Sequence, residues 1–146
     1  MLDHSLEATF AAFFRTVPEL KGVRVFTGHD NEEHTLPSIT VTCKSESLAG
    51  SAEIFRADIG VMVESEAHDS DPDEHAALVE IVRSRLSRKD TVATAFNTAA
   101  RIRLYGYAFT GGSEDVSGNR FQTTITLRVG YGAPINHRAR LTRPRH

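Results

Sequence analysis

Leu2, Leu6, Phe10, Phe13, Phe14 and Val17 recur at helical spacing, the stripe of an amphipathic helix over residues 2–17 that Pro18 helps to end. Ser5 is a candidate cap for a helix that starts slightly later. Val23–Thr27 is a short apolar run between Gly22 and Gly28, and its length favours a strand. Residues 28–36 are polar, hold no period and predict a loop. From Ser38 to Lys44 the pattern alternates, with Ile39, Val41 and Cys43 opposed to Ser38, Thr40, Thr42 and Lys44. The alternation returns as Phe55, Ala57, Ile59, Val61 and Val63 against Arg56, Asp58, Gly60, Met62 and Glu64. A short polar connection makes these two segments an antiparallel pair.

Asp71-Pro72-Asp73-Glu74 reads as a helix start, with Asp71 as the cap and Pro72 at the first helical position. The predicted helix runs to about Ser87 with Leu78, Ile81, Val82 and Leu86 inward, and Arg83, Arg85, Arg88 and Lys89 at its basic end. Thr91–Phe96 predicts a short helical turn. Ile102–Phe109 and Phe121–Tyr131 predict two further strands, joined by a Gly- and Ser-rich loop at 111–119. Hairpin-joined strands with segregated helices give an α+β, two-layer sandwich: a mainly antiparallel sheet of four to five strands with two main helices on one face. Those helices should cover the face of Ile39, Ile59 and Ile125 and leave a Thr- and Arg-bearing face wet or applied to another subunit.

A length of 146 residues suits one domain, and 40% apolar with 25% charged residues suits a packed core. The lone Cys43 forms no intrachain disulfide, and alternation places it inward as a small core residue. No apolar run approaches the 18 residues of a membrane span, and the N-terminal residues lack the pattern of a signal peptide, so a soluble protein is expected. Charge changes the picture at one end. The formal charge is −2, but Arg138, Arg140, Arg143 and Arg145 stand in residues 132–146 without an acid, which leaves −6 on residues 1–131. We therefore read residues 1–131 as the domain and 132–146 as a basic extension that could touch nucleic acid but better suits a solvated end or docking onto an acidic protein surface, since the charge asymmetry equally suits subunit contacts.

Candidate chemistry is sparse. His68, Asp69, Asp71, Asp73, Glu74 and His75 cluster as possible metal ligands, but they match neither an EF-hand nor a His-Glu-x-x-His pair. Capping accounts for Asp71, Asp73 and Glu74 without an ion. Gly111, Gly112 and Gly118 form no phosphate-binding fingerprint, and no nucleophile elbow occurs. No catalytic residue, metal or cofactor is expected. The polar loops supply candidate interaction residues instead: Asp30, Glu32 and Glu33 in one, Glu114 and Asp115 in the other, with the four tail arginines.

The N-terminal helix, Leu36-Pro37-Ser38-Ile39-Thr40-Val41 opening a strand, the long strand ending at Val63, the acidic Asp-Pro-led helix from Asp71 and the closing Arg120-Phe121-Gln122-Thr123-Thr124-Ile125-Thr126-Leu127 occur in a familiar order. Over residues 2–131 this arrangement resembles the tail terminator, or tail-completion, proteins of long-tailed bacteriophages. The resemblance implies a virion structural protein without catalysis, made in the host cytoplasm and placed in the tail or neck. It implies a hexameric ring that caps the tail tube protein, ends its polymerisation and offers a surface to the head connector or stopper protein. DNA would pass through the lumen without specific recognition, and no membrane is involved. The basic extension departs from the family. Two other readings stay open: a different neck or head-completion protein, and a metal-binding enzyme built on the 68–75 cluster.

Overall fold

The computed structural model describes residues 2–28, 35–47, 54–67, 72–100 and 103–132. Along the chain these form α1 (Leu2–Arg15), a short 3-10 turn at Pro18–Leu20, β1 (Arg24–Thr27), β2 (Ser38–Ser47), β3 (Ile54–Glu66), α2 (Pro72–Leu86), α3 (Lys89–Ala100), β4 (Arg103–Ser117) and β5 (Arg120–Gly132). The fold is α+β. Five strands make one sheet in the order β1-β2-β3-β5-β4, with only the β1–β2 pair parallel.

Alternation builds the core. Ile39 and Val41, then Ala57, Ile59, Val61 and Val63, then Ile125, Leu127, Val129 and Tyr131 fall on one face of three adjacent strands, and all are buried. Leu6, Phe10 and Phe14 of α1 and Val92 and Phe96 of α3 close over that face, with the Phe10 and Phe96 rings edge to face at 4.6 Å. The opposite face is wet at Thr42, Lys44, Arg56, Asp58 and Arg128, where Arg56–Glu46 (2.6 Å) and Arg128–Asp58 (2.9 Å) pair across strands. Near its end Glu64 is buried, and its carboxylate accepts from Gln122 Nε2 at 2.9 Å and Arg120 Nη1 at 3.2 Å.

The structure differs from the sequence expectations in five places. Thr91–Phe96 belongs to a full helix, α3, so three helices rather than two cover the sheet. The inward stripe of α2 is His75, Val79, Val82 and Leu86, while Leu78 and Ile81 are half-buried at its flanks. Ser5 lies inside α1, where its carbonyl accepts from the Thr9 hydroxyl at 2.8 Å, and caps nothing. Cys43 is half-buried rather than in the core. The 111–119 segment is strand almost to its end, since β4 runs through Ser117 and the reversal occupies Gly118 and Asn119. Gly118 has φ +60°, the left-handed value a tight reversal requires.

Candidate interaction surface

β4 is the last strand of the sheet, and its outer edge has no neighbouring strand among the described residues. Its register to β5 shifts between Leu104 and Gly106 and again between Phe109 and Gly111, then runs evenly from Gly111 opposite Thr126 to Ser117 opposite Arg120. Gly112 is required in that even stretch, because a Cβ there would collide with the Thr124 carbonyl. The helices cover only the base of β4, where the Tyr107 hydroxyl donates to the Leu86 carbonyl at the end of α2 (2.6 Å). Burial raises the Tyr107 pKa well above the ordinary tyrosine value. Residues 108–116 are exposed, and Tyr105, Phe109 and Val116, the large exposed hydrophobic side chains among the described residues, all stand on β4.

The opposite side of the sheet is closed by α1. Arg15 Nη2 donates to the Val25 carbonyl of β1 at 2.7 Å. The buried Glu7 carboxylate accepts from the backbone N–H of Gly28 (3.1 Å) and of Cys43 (3.0 Å), where β1 has ended and β2 continues. The Arg15 guanidinium therefore occupies an outer carbonyl of β1 that a further strand would use, while Glu7 closes the end of the β1–β2 pair, where the Gly28 N–H also donates to the Val41 carbonyl at 2.9 Å.

Glu114 and Asp115, expected in a loop, sit on opposite faces of β4. Glu114 pairs with the buried Thr123 on the helix side, and Asp115 pairs with Gln122 on the other. Asp115 Oδ1 accepts from the Val116 N–H at 2.9 Å, so its carboxylate is held at the strand. Glu114, Val116, Phe121 and His75 line a shallow groove of about 310 Å³. His75 forms its floor, with Nδ1 2.8 Å from Ser65 Oγ and Nε2 2.8 Å from Thr123 Oγ1. One ring nitrogen donates, the other accepts, and the hydroxyls take the complementary roles. Burial pushes the His75 pKa below the ordinary histidine value, and nearby Glu114 partly opposes that.

Both nitrogens of His75 are thus engaged in the core. Asp73 and Glu74 are exposed on the first turn of α2, while His68, Asp69 and Asp71 lie outside the described residues. Among the described residues no group of His, Cys, Asp and Glu is arranged to hold a metal ion. Asp30, Glu32, Glu33 and the four tail arginines, Arg138, Arg140, Arg143 and Arg145, also lie outside the described residues. Of the residues named from sequence, the structure brings Glu114, Asp115 and His75 to one place. The apolar part of that surface, Val116 and Phe121, is absent from the expected site. Its signal was the pairing of Val116 with Phe121 across a two-residue reversal. No helix among the described residues is long and apolar enough to cross a membrane. No family model matches the chain, and no curated protein matches it.

Proposed function

We propose that this protein is a structural subunit of a long-tailed bacteriophage, a tail terminator whose ring caps the finished tail tube and receives the head connector. The observation that supports the reading is the exposed edge of β4, apolar and acidic and without a neighbouring strand among the described residues, which suits contact with another polypeptide. The order of elements in the sequence supports the same reading. A ring needs a heterologous contact, in which one patch meets a different patch on the next copy. A molecule closed on one side of its sheet and open on the other has two unlike sides to offer.

Light scattering across a concentration series, followed by negative-stain imaging with and without purified tail tubes, tests the proposal. A species of about six times the 16.1 kDa subunit mass, or rings seated on tube ends, is expected. A monomer at every concentration that also leaves tube ends bare overturns it.

A further inference from the structure

On the inner strands of the sheet, carboxylates have arginines beside them: Glu46 has Arg56, Asp58 has Arg128, and the buried Glu64 has Arg120 at 3.2 Å. Near the far end of β4, Glu114 and Asp115 have no arginine or lysine partner among the described residues, and Asp115 accepts the Val116 N–H of its own strand. The groove they border contains His75 but no lysine or arginine, and the exposed Val116 with the half-buried Phe121 gives it an apolar wall. No strand lies outside β4 among the described residues. The edge is thus matched to a cationic segment with some apolar content, laid against it from outside.

The chain carries such a segment and begins it beside the same strand. Gly132 ends β5 opposite Arg103, at the start of β4, and a Cβ on Gly132 would meet the exposed Tyr105 ring. Residues 133–146 hold Arg138, Arg140, Arg143 and Arg145, with Ile135 and Leu141 and no acid. Glu114 stands opposite Thr123, nine residues back from Gly132, or about 30 Å along the sheet. Arg143 and Arg145 lie eleven and thirteen residues beyond Gly132, a reach of about 36 to 40 Å and about 43 to 47 Å when extended. That leaves length for the turn around the start of β4. Arg138 and Arg140 fall earlier, alongside the exposed middle of the strand. A tethered segment meets its own edge without a second molecule, so docking within one chain is independent of protein concentration and precedes association in dilute solution.

We infer that the Arg-rich segment 133–146 docks on the β4 edge of its own subunit, with Arg143 and Arg145 on the Glu114 and Asp115 carboxylates. The segment then covers a bare strand, one of the ways in which natural sheets keep their edges from pairing with other chains. Each exposed ion pair is weak, and tethering makes the set act together. One consequence rests on the assembly reading above: a subunit or connector that takes the β4 edge must displace the segment, so the extension holds the free subunit back until a partner outcompetes it.

The test uses the full-length chain carrying a donor and an acceptor dye through N119C, at the exposed hairpin reversal, and T142C, next to Arg143, with C43S removing the native thiol. Doubly labelled chains diluted into an excess of unlabelled chain report energy transfer within one subunit. High transfer is expected at low salt, with loss at high salt, in R143E/R145E and in E114K/D115K, and recovery when the two reversals are combined. Glu114 and Asp115 are exposed, and circular dichroism verifies folding for each variant. Low transfer with the native charges in place, or transfer that neither reversal changes, overturns the inference. Transfer found only between separately labelled chains overturns it too, since the segment then lies on a second copy. Failure of the combined variant to recover, when each reversal alone has lost transfer, overturns the pairing of these residues. Particle mass and tube-end capping judge the assembly reading and enter none of these readouts, so either reading can fail alone.

Discussion

The carboxylate of Glu7 in α1 stands where a strand would otherwise lie, accepting the N–H of Cys43 at 3.0 Å just past the end of β1. The same group takes the N–H of Gly28 at 3.1 Å, so one helical side chain finishes the edge of the sheet. A carboxylate that accepts backbone amides contributes about 1.5 to 3 kcal/mol per bond; its removal takes the side-chain acceptor from the Cys43 N–H, while the Gly28 N–H keeps the Val41 carbonyl at 2.9 Å. Glu7→Ala should therefore destabilise the fold by about 2 kcal/mol, with Glu7→Gln intermediate. Urea denaturation followed by circular dichroism reads both, and wild-type stability of Glu7→Ala would show that the carboxylate is dispensable.

His75 makes stability depend on pH in a defined direction. Its pKa in the folded protein is depressed by burial, so the unfolded chain binds the proton more readily. The contribution is present above the ordinary histidine pKa of about 6.5 and is lost as pH falls through the folded value. The denaturation midpoint of the wild type should drop between neutral pH and mildly acidic pH. His75→Gln, which keeps a donor and an acceptor for Ser65 and Thr123, should flatten that drop while lowering stability at neutral pH. An equally steep drop in the variant would assign the effect to another group.

Tyr107 joins β4 to the last turn of α2 through the hydroxyl bond to the Leu86 carbonyl. Tyr107→Phe should cost about 1 kcal/mol in denaturant unfolding, because the ring packing stays and one buried acceptor loses its partner. A neutral outcome would mean that water replaces the hydroxyl at no cost.

Ile59 is 1% exposed at the centre of the apolar face, flanked in register by Cys43 and Leu127. Ile59→Asp places an unpaired carboxylate there, at a cost of several kcal/mol, and should abolish cooperative folding. The measurement is the presence or absence of a single unfolding transition. A folded variant would mean that the core accommodates the charge.

The central strands are legible in the sequence because their two faces meet different environments: Ala57, Ile59, Val61 and Val63 inward, Arg56 and Asp58 outward. β4 is not, for the same physical reason. Beyond Tyr107 it has solvent on both faces, so Gly111, Gly112 and Ser113 carry no alternation and resemble a loop, and two register shifts break what period remains. In α2 the phase was ambiguous between two adjacent apolar stripes, and the one ending in Val79, Val82 and Leu86 is the one whose extension brings His75 onto Ser65 and Thr123. Charge alone pointed to Glu114 and Asp115, but their place on a bare strand follows from the strand order, which no local pattern encodes.

The pairing of β3 with β5 carries a consequence for synthesis. β2 follows β1 and precedes β3 directly, but the second side of β3 is covered by a strand that comes only after α2, α3 and β4. A nascent chain emerging from its N-terminus holds the long, apolar β3 half-covered until Arg120 and the residues after it have been made. The β4–β5 hairpin then arrives as a local unit and seals the gap. Any truncation ahead of Arg120 removes the middle of the sheet rather than its border, and leaves a sticky strand in place of a fold.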